Sequence, residues 1–348
     1  MLSIQNRIKI LNVLQPPITS YPVHANTLST VLIYEESLKW FYDYYIQLFA
    51  RKDTSTWCYV DFYAPIPWRS CPWIYHQRIS KGLVSKRWNS IVEFLIDSID
   101  LDCYAFLYLN QFFIPSSAPH HFNKEDHMHD TYIYGYDLKE KVFYTADFYD
   151  SNKKYRTSKL EFTLLEKAYD TVDLSSEDDF IQGILLFSPV DFEGYKVNTN
   201  IMTTFINDFL TSSTSSKGHS DGYRFDVETN KDDFCFGMEV FEFLIGYLEE
   251  IIQGSPVRDF RCFRILYDHT SMMLMRLEYL GKNGYVKNYM ILVEFFRQIL
   301  QMNFNMEKYA IKAFFVNDTK LFKRLIDMVS EVAKLEKKGL EMILENIL

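Results

Sequence analysis

The chain has 348 residues, 48% hydrophobic and 24% charged, with 17% aromatic residues and only 12 Gly and 10 Pro. This is material for one large or two ordinary globular domains with long ordered elements and little disorder. A net charge of −9 argues against nucleic acid as the main partner, because phosphate binding needs a positive field.

The five cysteines (Cys58, Cys71, Cys103, Cys235 and Cys262) are scattered and none belongs to a CxxC pair, which predicts free thiols in a reducing compartment. "MLSIQNRIKILNVLQPP" lacks the apolar core and small-residue cleavage site of an export signal, and no run of 18 apolar residues occurs. The expectation is a soluble cytoplasmic protein with no membrane partner.

In chain order, residues 1–20 read as a short strand or helix ending in a Pro-Pro turn. The spacing of Leu28, Val31, Leu32, Leu38, Phe41, Tyr45 and Leu48 predicts two helical segments between His24 and Phe49. "WCYVDFYAPIP" alternates like a strand that stops at prolines, and "NSIVEFLIDSIDLD" is a helix with Asn89 or Ser90 as N-cap. An aromatic strand "CYAFLYLNQFFIP" and a histidine-bearing loop come next. The stretch 131–158 then reads as three antiparallel strands joined by two turns, the first at Asp137–Glu140. "LLEKAYDTV" is helical and "GILLFSPV" is a buried strand. "TSSTSSKGHSDG" (211–222) is a loop or linker. Beyond it the chain is helical: one helix ends at Gly254, two more follow, and a last pair occupies about 306–348. The layout predicts an α+β domain over 1–195 and a mainly helical domain over 196–348.

Four histidines crowd one loop: His120, His121, His127 and His129. Their spacing is not a recognised zinc pattern, and no metal or other cofactor is assigned. His129 directly precedes the strand "DTYIYGYD", and Asp147 closes the next strand. Facing strand ends bring such residues within reach, so the two can form a dyad in which the carboxylate fixes the imidazole tautomer. The alternative is a surface histidine and a turn aspartate.

"HDTYIYGYDLKEKVFYTADFY" resembles the His-to-Asp hairpin of the butirosin-biosynthesis H proteins, a papain-like (peptidase C39-like) family. The resemblance covers about residues 15–190. It implies a papain-like α+β fold, His129 as general base and Asp147 as its orienter. It also implies an activity: transfer of an acyl or peptidyl group from a carrier-protein thioester to a small-molecule or peptide amine in bacterial nonribosomal-peptide or antibiotic biosynthesis. The family's cysteine nucleophile belongs at the start of the first long helix, where this chain has Val23, and neighbouring registers give Pro22, His24 or Ala25. Gln15 is the candidate for an oxyanion-hole glutamine, and His24 and Asn26 are candidate substrate contacts.

Valine cannot form a thioester, so covalent catalysis at that position is ruled out. Three readings remain: non-covalent acyl transfer with His129 as base, a catalytically inactive accessory protein of a synthetase, or a cysteine-peptidase-like hydrolase. An engineered loss of a thiol, with Ala25 in its place, also fits the sequence. Arg78, Lys81, Lys86 and Arg87 beside Trp88 make a basic cluster that could dock an acidic carrier protein, or simply a solvated helix face. The Met-rich "SMMLMRLEYL" reads as core, Arg258, Arg261 and Arg264 are diluted by acids, and the Lys/Glu-mixed last helix is a candidate homodimer contact.

Overall fold

A computed structural model describes residues 7–63, 71–118, 120–149, 155–172, 183–215 and 231–348. Within them the protein is α+β, and the chain divides into two compact units. One comprises residues 1–37 and 67–193, the other 38–66 and 194–348.

The first unit is built on an antiparallel sheet. Its strands are β1 (Ile8–Ile10), β4 (Ile74–Ser80), β5 (Tyr104–Asn110), β6 (Met128–Asp137), β7 (Val142–Asp147), β8 (Arg156–Glu161) and β9 (Gly183–Pro189). The order is β4-β9-β5-β6-β7-β8, and β1 pairs with the last three residues of β6. β5 is buried along nearly its whole length, which explains its unbroken apolar run. One face of the sheet carries Ala105, Leu107, Leu109, Ile133, Phe143 and Ile184. Onto it pack Ile91, Phe94, Leu95 and Ile99 of a helix Ile91–Asp100 and Leu165 and Ala168 of a helix Phe162–Asp170. The first of these starts at Ser90, whose Oγ accepts from Glu93 N, while Glu93 Oε2 accepts from Asn89 N at 2.9 Å. The glycine of "GYD" has a specific task. A Cβ at Gly135 would stand 2.8 Å from the Lys9 carbonyl oxygen and 2.9 Å from Ile10 Cα, so only glycine lets β1 approach there.

In chain order the helices are α1 (Pro22–Val31), α2 (Ser37–Tyr44), α3 (Lys81–Arg87), α4 (the Ile91 helix), α5 (the Phe162 helix), α6 (Thr199–Leu210), α7 (Glu239–Ile252), α8 (Arg261–Lys282), α9 (Tyr289–Val316) and α10 (Thr319–Asn346). The second unit holds α6 to α10 with a small sheet β10-β2-β3, formed by Phe234–Phe236, Leu48–Arg51 and Val60–Phe62. Among the described residues no helix is long and apolar enough to cross a membrane.

The expected boundary at 195/196 treats each domain as continuous, whereas segment 38–66 groups with the second unit. The reason is its partners. β2 pairs with β10, buried Arg276 donates to the Tyr42 and Tyr45 carbonyls at 2.7 and 2.8 Å, and Asp43 accepts from Asn198 N and the Tyr195 hydroxyl. Burial pushes the Asp43 carboxyl up to about 6, against those hydrogen bonds. Leu48, expected to end a helix, opens β2, and β3 is buried throughout rather than alternating. The expected helix break near 306 is absent: α9 runs to Val316, and the turn comes at left-handed Asn317, with Asp318 capping α10. Residues 216–222 of the Ser/Thr-rich stretch and Pro65 and Pro67 lie outside the described residues.

Met272 and Met273 are core, and Arg261 and Arg264 pair with Asp259 and Asp268. The basic cluster loses one member. Arg78, Lys86 and Arg87 are exposed, but Lys81 is buried. Its Nζ, which has no hydrogen-bond partner among the described residues, lies 4.4 Å from the centroid of the Tyr169 ring. Burial pushes this ammonium down to about 8, so the folded state resists the charge. Lys81→Met should stabilise the protein by about 1–2 kcal/mol at pH 7 in urea unfolding. The folded value is the lower one, so that gain should shrink as pH rises from about 8 through 10.5.

Candidate functional site

The hairpin β6–β7 turns at Asp137, whose Oδ1 accepts from Lys139 N at 2.8 Å and Glu140 N at 3.0 Å, with Lys141 in the left-handed region. The ladder then aligns Tyr132 with Ala146, which brings the start of β6 beside the end of β7. His129 Nδ1 and Asp147 Oδ2 meet at 3.1 Å, the pair expected from the sequence. Asp147 is fully buried, while the His129 side chain keeps about a quarter of its exposure, 26%. The carboxylate has further donors. Gln111 Nε2 lies 3.4 Å and Thr131 Oγ1 3.5 Å from Oδ2, and Phe148 N donates to Oδ1 at 2.6 Å. His129 Nδ1 also meets the Asp130 carbonyl at 3.1 Å, which leaves Nε2 as the nitrogen free for chemistry.

The electrostatics follow from this burial. Burial works against the imidazolium, but the Asp147 charge and hydrogen bond outweigh it. Asp130 adds to the effect, and His129 is lifted to about 9. Burial raises the Asp130 carboxyl, against the pull of His129.

Helix α1 carries the positions where the family resemblance places the nucleophile and substrate contacts. Tyr21 caps it without a side-chain hydrogen bond, and Pro22 occupies its first position. Val23 is half-buried, His24 and Asn26 are buried, and Gln15 is exposed. Leu14 N donates to the Ser29 carbonyl at 2.8 Å, so Gln15 begins beside the C-terminal half of α1. The α1 hydroxyls serve the helix itself: Thr27 donates to the Val23 carbonyl and Ser29 to that of Asn26. The same helix is fastened to the sheet by polar contacts. The Thr30 and Tyr132 hydroxyls meet, and the Tyr155 hydroxyl donates to Asn26 Oδ1 at 2.8 Å. Burial, with the Asp147 charge adding to it, raises the Tyr155 phenol well above the ordinary range. All five cysteines are buried thiols, and none lies in α1.

Three residues escaped the sequence reading: Gln111, Thr131 and Tyr155. Thr131 had a signal, since it shares a strand face with His129 at spacing two. Gln111 and Tyr155 had none beyond being polar next to a buried strand. The loop histidines form a row. The His121 and His127 rings stack at 4.1 Å and 11°, His127 and His129 at 5.7 Å and 26°, and His121 Nδ1 meets Glu125 Oε1 at 2.9 Å. Among the described residues no three of His, Cys, Asp and Glu are grouped to hold a metal ion.

In comparisons with known proteins, no protein-family model and no curated protein matches the chain.

The folded-state value of His129 lies above its ordinary 6.5, so its contribution to stability is complete below pH 6.5 and is lost as pH rises through about 9. Asp147→Asn should remove that window from the stability profile. It should also lower the His129 midpoint in an NMR titration by more than about one pH unit.

Proposed function

We propose that the chain is a papain-like protein akin to the butirosin-biosynthesis H family, and that it transfers an acyl or peptidyl group from a carrier-protein thioester to an amine without an acyl-enzyme intermediate. The observation that supports this reading is the oriented His129–Asp147 pair, with Nε2 left free beside a part-exposed ring. Helix α1 ahead of strands β4 to β9 of the antiparallel sheet fits a papain-like architecture. The absence of a thiol from Pro22, Val23, His24 and Ala25 removes the covalent route.

In the proposed reaction the amine nitrogen attacks the thioester carbonyl directly. The C–N bond forms, the C–S bond breaks, and the amine proton passes to His129 Nε2. The imidazolium then returns that proton to the departing carrier thiolate. With His129 lifted to about 9, only about 1% of its imidazole is in the neutral, proton-accepting form at pH 7. The transfer rate should therefore climb with pH and level off near 9. Exposed Arg78, Lys86 and Arg87 offer a docking patch for an acidic carrier.

A second reading, an accessory protein that binds carrier or peptide without turnover, is favoured by the burial of every cysteine. A cysteine-peptidase-like hydrolase is the weakest of the three on the same ground. Intact-mass analysis of acyl-loaded carrier proteins with a panel of amines separates the readings. Transfer by the wild type, reduced at least about 100-fold in His129→Ala, is the expected result. Equal turnover by both removes the dyad mechanism, and binding of loaded carrier without turnover assigns the accessory role.

A further inference from the structure

The row of imidazoles beside the dyad has a pattern that the proposed transfer does not use. His121 has a carboxylate partner, Glu125, and His129 has Asp147, whereas the ring between them, His127, hydrogen-bonds neither acid in the row. His121 and His127 stack closely, and His127 and His129 stack with an offset, so no in-plane hydrogen bond links the three rings. A neutral ring between two partnered ones is the stable arrangement, because a neutral aromatic face attracts a neighbouring cation and a charged one repels it.

The backbone fixes His127 in place. Its N–H donates to Asn110 Oδ1 at 3.2 Å, and its carbonyl accepts from Gln111 N at 2.8 Å. Gln111 is the residue whose side chain also reaches Asp147, so one turn sets both the wedge and the carboxylate. On the outer side, His121 is held by its backbone N–H on the Ser117 carbonyl, and its own carbonyl accepts from Lys124 N and Glu125 N.

We propose that His127 is a positioning residue for His129: its ring stacks on that of His129, holds the plane of the imidazole and leaves the Nε2 edge presented. Burial first, then the neighbouring His121 and His129, lowers the basicity of His127, which favours the uncharged ring. The groups that face the row are His120, His121 and Glu125 on the loop and Asp130 and Asp147 on the strands. The catalytic part of this inference rests on the proposed acyl transfer; the stacking part does not.

The test compares His127→Phe, which keeps a neutral ring, with His127→Ala, which removes it. With an acyl-loaded carrier and a primary amine, Phe should retain kcat within about threefold, while Ala should lose at least tenfold in kcat with KM little changed. NMR titration of the ring nitrogens gives a readout that needs no turnover. The His129 midpoint should move by about half a pH unit or more in Ala and stay at the wild-type value in Phe. In His129→Gln, the His127 midpoint should rise. Equal kcat in Ala and wild type, or unchanged midpoints in both comparisons, overturns the positioning role. If the wild type shows no transfer, the proposed function fails while the titration still decides whether the wedge exists.

Discussion

A fully buried carboxylate fixes much of the first unit. Removing an ionised Asp from water costs several kcal/mol unless its oxygens are paired, and Asp147 meets that demand with donors from separate parts of the chain. Thr131 and His129 come from β6, Gln111 from the turn after β5, and Phe148 N from the strand end itself. Each donor constrains a register. A one-residue slip of β6 against β7 would turn both His129 and Thr131 to the opposite face and leave the carboxylate buried without them. The sheet order, the turn at Gln111 and the imidazole orientation are in this sense one solution to one electrostatic problem.

Parts of this solution are legible in the sequence, for identifiable reasons. The hairpin is readable because Asp137 has a mechanism for starting a turn and the flanking residues have strand character. Ser90 is readable as a cap because Glu93 stands three residues on. Gln111 is not readable, because its role depends on where β5 ends relative to a strand more than thirty residues later. Segment 38–66 looks like an ordinary helix and strand, and nothing local reveals that its partners, Asn198, β10 and Arg276, come after residue 194. Lys81 reads as one more cation in a basic run. Its burial over Tyr169 is a tertiary fact that charge patterning cannot carry.

The proposed chemistry rests on what α1 does and does not offer. Its hydroxyls are spent on its own backbone and on the sheet, through Thr30–Tyr132 and Asn26–Tyr155, so the helix acts as a wall with a polar inner face. No thiol stands in its first turn, while the imidazole–carboxylate pair is complete. An acid–base pair without a nucleophile of its own suits a reaction in which the substrate brings the nucleophile, as an amine does. The high basicity that Asp147 confers on His129 suits a base used above neutral pH.

In the proposed transfer no acyl group rests on the protein at any stage. Acid-quenched intact-mass spectra of the chain, taken during turnover of an acyl-loaded carrier with an amine, test it directly. Amide product should accumulate while the chain keeps its unmodified mass at every time point. An acylated chain that forms and decays with turnover, or a loaded carrier that never yields amide, would contradict it.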